Sequence, residues 1–231
     1  MKLTVFLFTI PAVVFAVSFS DNFESYPIGS DLNSSSYWFA SDSSGSFIIA
    51  DEGGNNTAET VWNGGKITAY ACIGSSVWSD GTIGCDVEFT GSQAMFSLIT
   101  RINSSSYECF AGGIYTAAPP VCATFIAYVN STGDYTILTQ DTFYPMNENI
   151  WYTLDFEVTG SDTVDLSLSV NGSVNSTYHY TEHTLSPGLS GVAAGYDAGS
   201  EPWFNIDNFH VVNTSQPLAR VTFGGIKALF R

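Results

Sequence analysis

The chain has 231 residues, with 22 acidic side chains against six Lys or Arg, and a formal net charge of −16. Between Phe19 and Val212 the only Lys or Arg residues are Lys66 and Arg101. With no basic cluster to displace counterions, binding to a nucleic acid backbone or to an anionic membrane surface is disfavoured.

The first residues, MKLTVFLFTIPAVVFAVSFS, carry one Lys and then an apolar run ending in small residues. This is the layout of a secretory signal peptide cleaved after Ala16 or Ser18. A membrane span needs about 20 apolar residues, and this run is shorter and broken by Pro11. The reading is therefore a leader over 1–18, one domain over 19–212 and a tail over 213–231, secreted or held at the cell surface without membrane insertion.

The domain opens on Asp21-Asn22-Phe23, and the same three residues return near its end as Asp207-Asn208-Phe209. Trp62 and Trp78 follow in the turn-like strings VWNGG and VWSDG. The four cysteines, Cys72, Cys85, Cys109 and Cys122, are an even number in an exported chain and predict two disulfides. Cys72–Cys85 and Cys109–Cys122 would each close a local loop, although three pairings are open.

Strands dominate the middle of the chain. TIGCDVEFT, WYTLDFEV and TVDLSLSV alternate apolar and polar residues, as antiparallel strands with one wet face do. AMFSLITRI, YECFAGGIY and CATFIAYVN are apolar on both faces. In the first of these, alternation sets Arg101 on one face with Met95, Ser97 and Ile99. Turn strings such as NSSS, NSTGD, TGSD and VNGS lie between, and no long amphipathic helix is visible. The pattern predicts an all-β, antiparallel two-sheet β-sandwich.

HYTEH (His179, Glu182, His183) matches the H-x-x-E-H string of a class of zinc peptidases. That chemistry needs a helix, and this string follows a strand, where the two histidines would stand about 13 Å apart. Near the end, Trp203 opens WFNIDNFHVV, and alternation puts Asp207 on the face of Phe209 and Val211. A carboxylate on an apolar face needs hydrogen bonds or a cation, and Ca²⁺ suits oxygen ligands in an extracellular protein. The tail PLARVTFGGIKALFR is apolar and basic, opposite in charge to the domain, and is open to three readings: a processed sorting or attachment signal, a strand that binds a protein partner, or a helix docked on the acidic domain.

The succession DNFESYPIGSDL, VWSDGTIGCDVEFTG, WYTLDFEVTGSDTVDLSLSVNG, SPGLSGVAAGY and FNIDNFHVV resembles the concanavalin A-like lectin/glucanase superfamily, in the form of laminin-G-like secreted jelly-roll domains. The resemblance implies two stacked sheets with a concave side that often holds carbohydrate. It also implies a structural Ca²⁺ between the opening segment and the last strand, with Asp207 as ligand and Glu24 or Asp21 as partner. The E-x-D-x-x-E or E-x-D-x-E string of the superfamily's glucanases is missing here.

The sequence thus favours a non-catalytic, lectin-like carbohydrate-binding domain. Trp62, Trp78 and Trp203 would stack on sugar rings, and Arg101 would bind an acidic sugar. The alternatives are an adhesive module that binds protein and a divergent glycoside hydrolase.

Overall fold

The alternation in WYTLDFEV and TVDLSLSV becomes two neighbouring strands in which every second residue is buried. The computed structural model describes residues 17–40, 45–62, 68–73, 78–182, 185–196 and 202–213. In chain order, the first strands are β1 (Val17–Asp21), β2 (Trp38–Ala40), β3 (Gly45–Asp51), β4 (Asn56–Trp62) and β5 (Thr68–Ile73). The next are β6 (Gly81–Thr90), β7 (Ala94–Ile102), β8 (Cys109–Ala118), β9 (Val121–Val129) and β10 (Tyr135–Pro145). The last are β11 (Tyr152–Thr159), β12 (Val164–Val170), β13 (Ser173–Tyr180), β14 (Leu189–Tyr196) and β15 (Trp203–Asn213).

They form two antiparallel sheets. The first runs β13-β12-β11-β6-β15-β4-β3, with β1 also paired to β15; the second runs β10-β9-β8-β7-β14-β5-β2. This is the expected two-sheet sandwich. Between the sheets lie Phe89, Phe96, Phe110, Phe156, Phe204 and Phe209, all fully buried. Packing is close enough to require glycine at 112, where a Cβ would stand 2.4 Å from the Phe156 ring. β1 pairs with the end of β15, Val17 opposite Asn213 and Ser18 opposite Val212.

The second sheet also has an apolar outer face. Ile99, Ile102, Cys109, Phe125 and Val129 form a cluster of their own there, flanked by Met95, Tyr115 and Tyr135. This arrangement corrects the disulfide expectation, since Cys85, Cys109 and Cys122 are unbridged. Cys109 pairs in register with Val129, and Cys122 lies seven residues back along β9, about 23 Å away. A disulfide tolerates about 7 Å between Cα atoms. The two thiols also face opposite ways, Cys109 in the outer cluster and Cys122 in the inner core.

Cys85 sits on the first sheet, in the inner core. Its expected partner Cys72 belongs to the second sheet, where it pairs with Gly191, and the Cys72 side chain is outside the described residues. Burial pushes the Cys109 thiol up to about 12 and Cys122 to about 11. Such thiols are almost wholly protonated near neutrality and therefore unreactive.

Candidate functional site

The two DNF strings meet in space: Asp21, the last residue of β1, pairs in register with Phe209. Simple alternation fails between them. Asp207 pairs with Asp86 and His210 with Gly84, so β15 takes three steps where β6 takes two. The extra residue is a β-bulge containing Asn208, whose φ is +49°. Phe204 and Ile206 before it, and Phe209 and Val211 after it, all join the inner core. Asp207 therefore faces outward rather than sharing a face with Phe209.

Hydrogen-bond donors from the protein satisfy both aspartates. Asp21 accepts from Phe23 N (2.9 Å), Tyr26 Oη (2.7 Å) and Trp38 Nε1 (2.8 Å). Burial, and then this bond to Asp21, raise the Tyr26 phenol well above its usual value. Asp207 accepts from Asn208 N (2.7 Å) and Asn55 Nδ2 (3.1 Å), and Glu24 accepts from Asn56 N (2.9 Å). Asp207, Glu24 and Asp21 therefore have protein donors and do not depend on a cation for partners. Among the described residues no group of three or more His, Cys, Asp or Glu side chains is placed to hold one metal ion.

The outward face of the first sheet is polar and ordered in rows across its strands. Glu59, Asn205 and Glu88 form one row on β4, β15 and β6. Asp207, Asp86 and Thr153 form the next on β15, β6 and β11. His210, Gly84 and Asp155 form a third. Thr153 Oγ1 donates to Asp86 Oδ1 (2.6 Å), and Asn208 Nδ2 donates to Asp86 Oδ2 (2.9 Å).

In the third row, His210 Nε2 reaches Asp155 Oδ1 at 3.3 Å across the intervening strand. Gly84 makes this possible, because a Cβ there would stand 2.4 Å from Asp155 Oδ1 and 2.5 Å from His210 Cε1. The bond to Asp155 is the main reason the His210 imidazole is raised above 6.5. A raised histidine stabilises the fold fully below its unfolded pKa, and that gain is lost as pH rises through the folded value. The difference in melting temperature between the wild type and His210→Gln should thus be largest at pH 5–6 and vanish in alkali. Gly84→Ala should remove the same pH dependence.

Toward the edge of the sheet the rows continue as Glu157–Ser167–Thr177 and Thr159–Asp165–His179. These six residues line an open groove of about 380 Å³. His179 Nδ1 lies 2.6 Å from Asp165 Oδ1. Here carboxylates, hydroxyls and an imidazole stand together on one open surface. His179 is on strand β13, as its sequence context predicts, while Glu182 lies beyond that strand and His183 is outside the described residues.

No protein-family model matches the sequence, and a search of curated proteins finds no match. Solved structures do match. A β-glucanase from Bacillus licheniformis superposes with a TM-score of 0.54 at 12% identity, over 86% of this chain and 98% of that one. The Emp47p carbohydrate recognition domain gives 0.55 at 11% identity, over 86% and 95%. The carbohydrate-binding module CBM66 from Bacillus subtilis gives 0.50 at 12%, over 77% and 92%. These likenesses show the fold, a concanavalin A-like jelly roll.

Within this concanavalin A-like sandwich, the outer positions of β8 hold Cys109, Ala111, Gly113 and Tyr115. None is a carboxylate. The residues expected to bind ligand divide between opposite ends of the fold. Trp62 donates its Nε1 to Pro202 O and packs edge-on against Tyr196, beside Trp203 at the start of β15. Trp78 is buried at the other end, near Asn213 at the end of β15. Eleven strand residues span about 33 Å, so these tryptophans do not form one platform.

Arg101 is also inside the protein. It lies at a second bulge, with φ +54°, where β14 takes two steps between Leu189 and Gly191 and β7 takes three between Ile102 and Ile99. The outer face passes to Ile102. The guanidinium instead donates to Ser79 O (3.2 Å), Leu185 O (3.3 Å), Gly160 O (2.6 Å) and Asp80 Oδ1 (2.8 Å). Burial lowers its pKa, and Asp80 opposes that shift.

The rows of the first sheet escaped sequence reading for a topological reason. CDVEF and LDFEV were visible as acidic strands, but their adjacency depends on β6 pairing with β11 across four intervening strands of sequence. The third contributor, β15, is later still in the chain.

Proposed function

We propose that the chain is an exported, non-catalytic carbohydrate-binding domain that takes its ligand on the polar outer face of the first sheet. The groove lined by Glu157, Asp165, Ser167, Thr177 and His179 is the observation that carries this reading. Carboxylate and imidazole groups accept and donate in fixed planes, and hydroxyls adapt between them. That combination matches the closely spaced hydroxyls of a sugar. The carbohydrate-binding module and the carbohydrate recognition domain among the matching structures support the same ligand class.

The non-catalytic reading rests on the missing E-x-D-x-x-E or E-x-D-x-E string, in which strand alternation would aim two carboxylates into one cleft as nucleophile and acid. On an arrayed glycan screen we expect binding to neutral glycans, weakened about tenfold or more by a paired Thr177→Ala and His179→Ala change. A tenfold loss corresponds to about 1.4 kcal/mol of lost hydrogen bonding. Reducing-sugar release from the bound glycan would establish a hydrolase instead, and a blank screen would favour the adhesive alternative.

A further inference from the structure

The first row of the outer face holds an unusual combination of groups. Glu59 and Glu88 flank Asn205 on the two neighbouring strands, and Asn205 Nδ2 donates to Glu52 from the β3–β4 turn. Asn205 is 1% exposed and Glu88 8%. The Asn205 Oδ1 atom is buried without any hydrogen-bond partner. A buried carbonyl oxygen left unpaired is costly, and the register partners of Asn205 on the two neighbouring strands carry carboxylates that can each take up a proton.

We propose that Glu59, Asn205 and Glu88, lying abreast beside Glu52, form a proton-binding row that stabilises the domain as its medium turns from neutral to acid. A proton taken from water by Glu59 or Glu88 makes a carboxyl O–H, which donates to Asn205 Oδ1. The same proton removes one of three crowded negative charges. Burial, and then the charge of Glu52, raise both carboxyls above the usual 4.5, and at Glu88 the Asn205 amide opposes part of that rise.

The surroundings offer the row no cation among the described residues. On β3 the register partner of Glu59 is Ile48. Along β6 and β15 the next outward groups are Asp86 and Asp207. On β11, Trp151 precedes Tyr152, which pairs with Val87. His210 lies opposite Gly84, four residues along β6 from Glu88, and is engaged by Asp155. Lys66 is outside the described residues.

A folded pKa above the unfolded one means that the native state binds more protons between the two values. Stability is therefore gained as pH falls through the raised value towards 4.5, and it is lost as pH rises again.

The test is thermal unfolding at pH 5 and pH 7.5 in the His210→Gln background, which removes the other group that gains stability in acid. We expect the melting temperature to rise by about 2–5 °C on acidification. Glu59→Gln or Glu88→Gln should raise it at pH 7.5 and flatten the pH response, because a glutamine amide can donate to Asn205 Oδ1 at any pH. An unchanged pH response in both glutamine variants would overturn the proposal. So would a calcium-dependent rise at pH 7.5 that both variants abolish, since the row would then hold a cation. Glycan binding is read separately, so failure here leaves the carbohydrate reading intact.

Discussion

Asp21→Ala is expected to lower stability by about 3–5 kcal/mol, or roughly 10 °C in melting temperature. The carboxylate accepts three bonds at once, from Phe23 N, Tyr26 Oη and Trp38 Nε1. Phe23 and Trp38 are almost wholly buried, so removing their acceptor leaves donors with no access to water. Trp38 also packs edge-on against Phe209, with ring centroids 4.8 Å apart. The damage should therefore spread to the seam between β1 and β15. Thermal unfolding monitored by tryptophan fluorescence measures it directly. Asp21→Asn, which keeps an acceptor oxygen, should lose less. Because protein donors satisfy Asp21 and Asp207, calcium chelation should leave the wild-type melting temperature unchanged.

Arg101→Met should cost a similar amount, about 3–5 kcal/mol, because it strips a partner from the partly buried Asp80 and from three carbonyls. The methionine keeps much of the aliphatic stem, so the loss reports the guanidinium bonds. Arg101→Lys should not restore stability, since one ammonium cannot reach four acceptors arranged around a planar fork. Glycan affinity measured below the melting temperature should be unaffected. A variant with normal stability and lost glycan binding would return Arg101 to the ligand site.

The sandwich itself was legible from period-two alternation, because a strand with one wet face must write that face into its sequence. Alternation misplaced Asp207 and Arg101 for a single reason. Each adjoins or occupies a bulge, and one inserted residue transfers every later side chain to the other face. The signal at Asn208 was present: the apolar residues shift from even positions (Phe204, Ile206) to odd ones (Phe209, Val211) across Asp207-Asn208. At Arg101 the strand is apolar on both faces, so no such phase change could be seen. Cysteine parity misled for a different reason, because Cys109 and Cys122 behave as small apolar residues on opposite faces of one sheet. The polar rows depend on strand order, which alternation does not encode.

The position of β15 has a consequence for how the domain is made. It is the last strand among the described residues, yet it lies in the interior of the first sheet, between β6 and β4, and it also carries β1. On the ribosome, β6, β11, β12 and β13 can pair as one group and β3 with β4 as another. They cannot join until Trp203–Asn213 emerges to fill the gap between them. Until then two unpaired strand edges and the inner face of a half-built sheet stay open, the state in which β-rich chains are most prone to aggregate. Completion of the sheet therefore depends on pairing strands far apart in sequence, which is slow, and the open edges persist until β15 is in place.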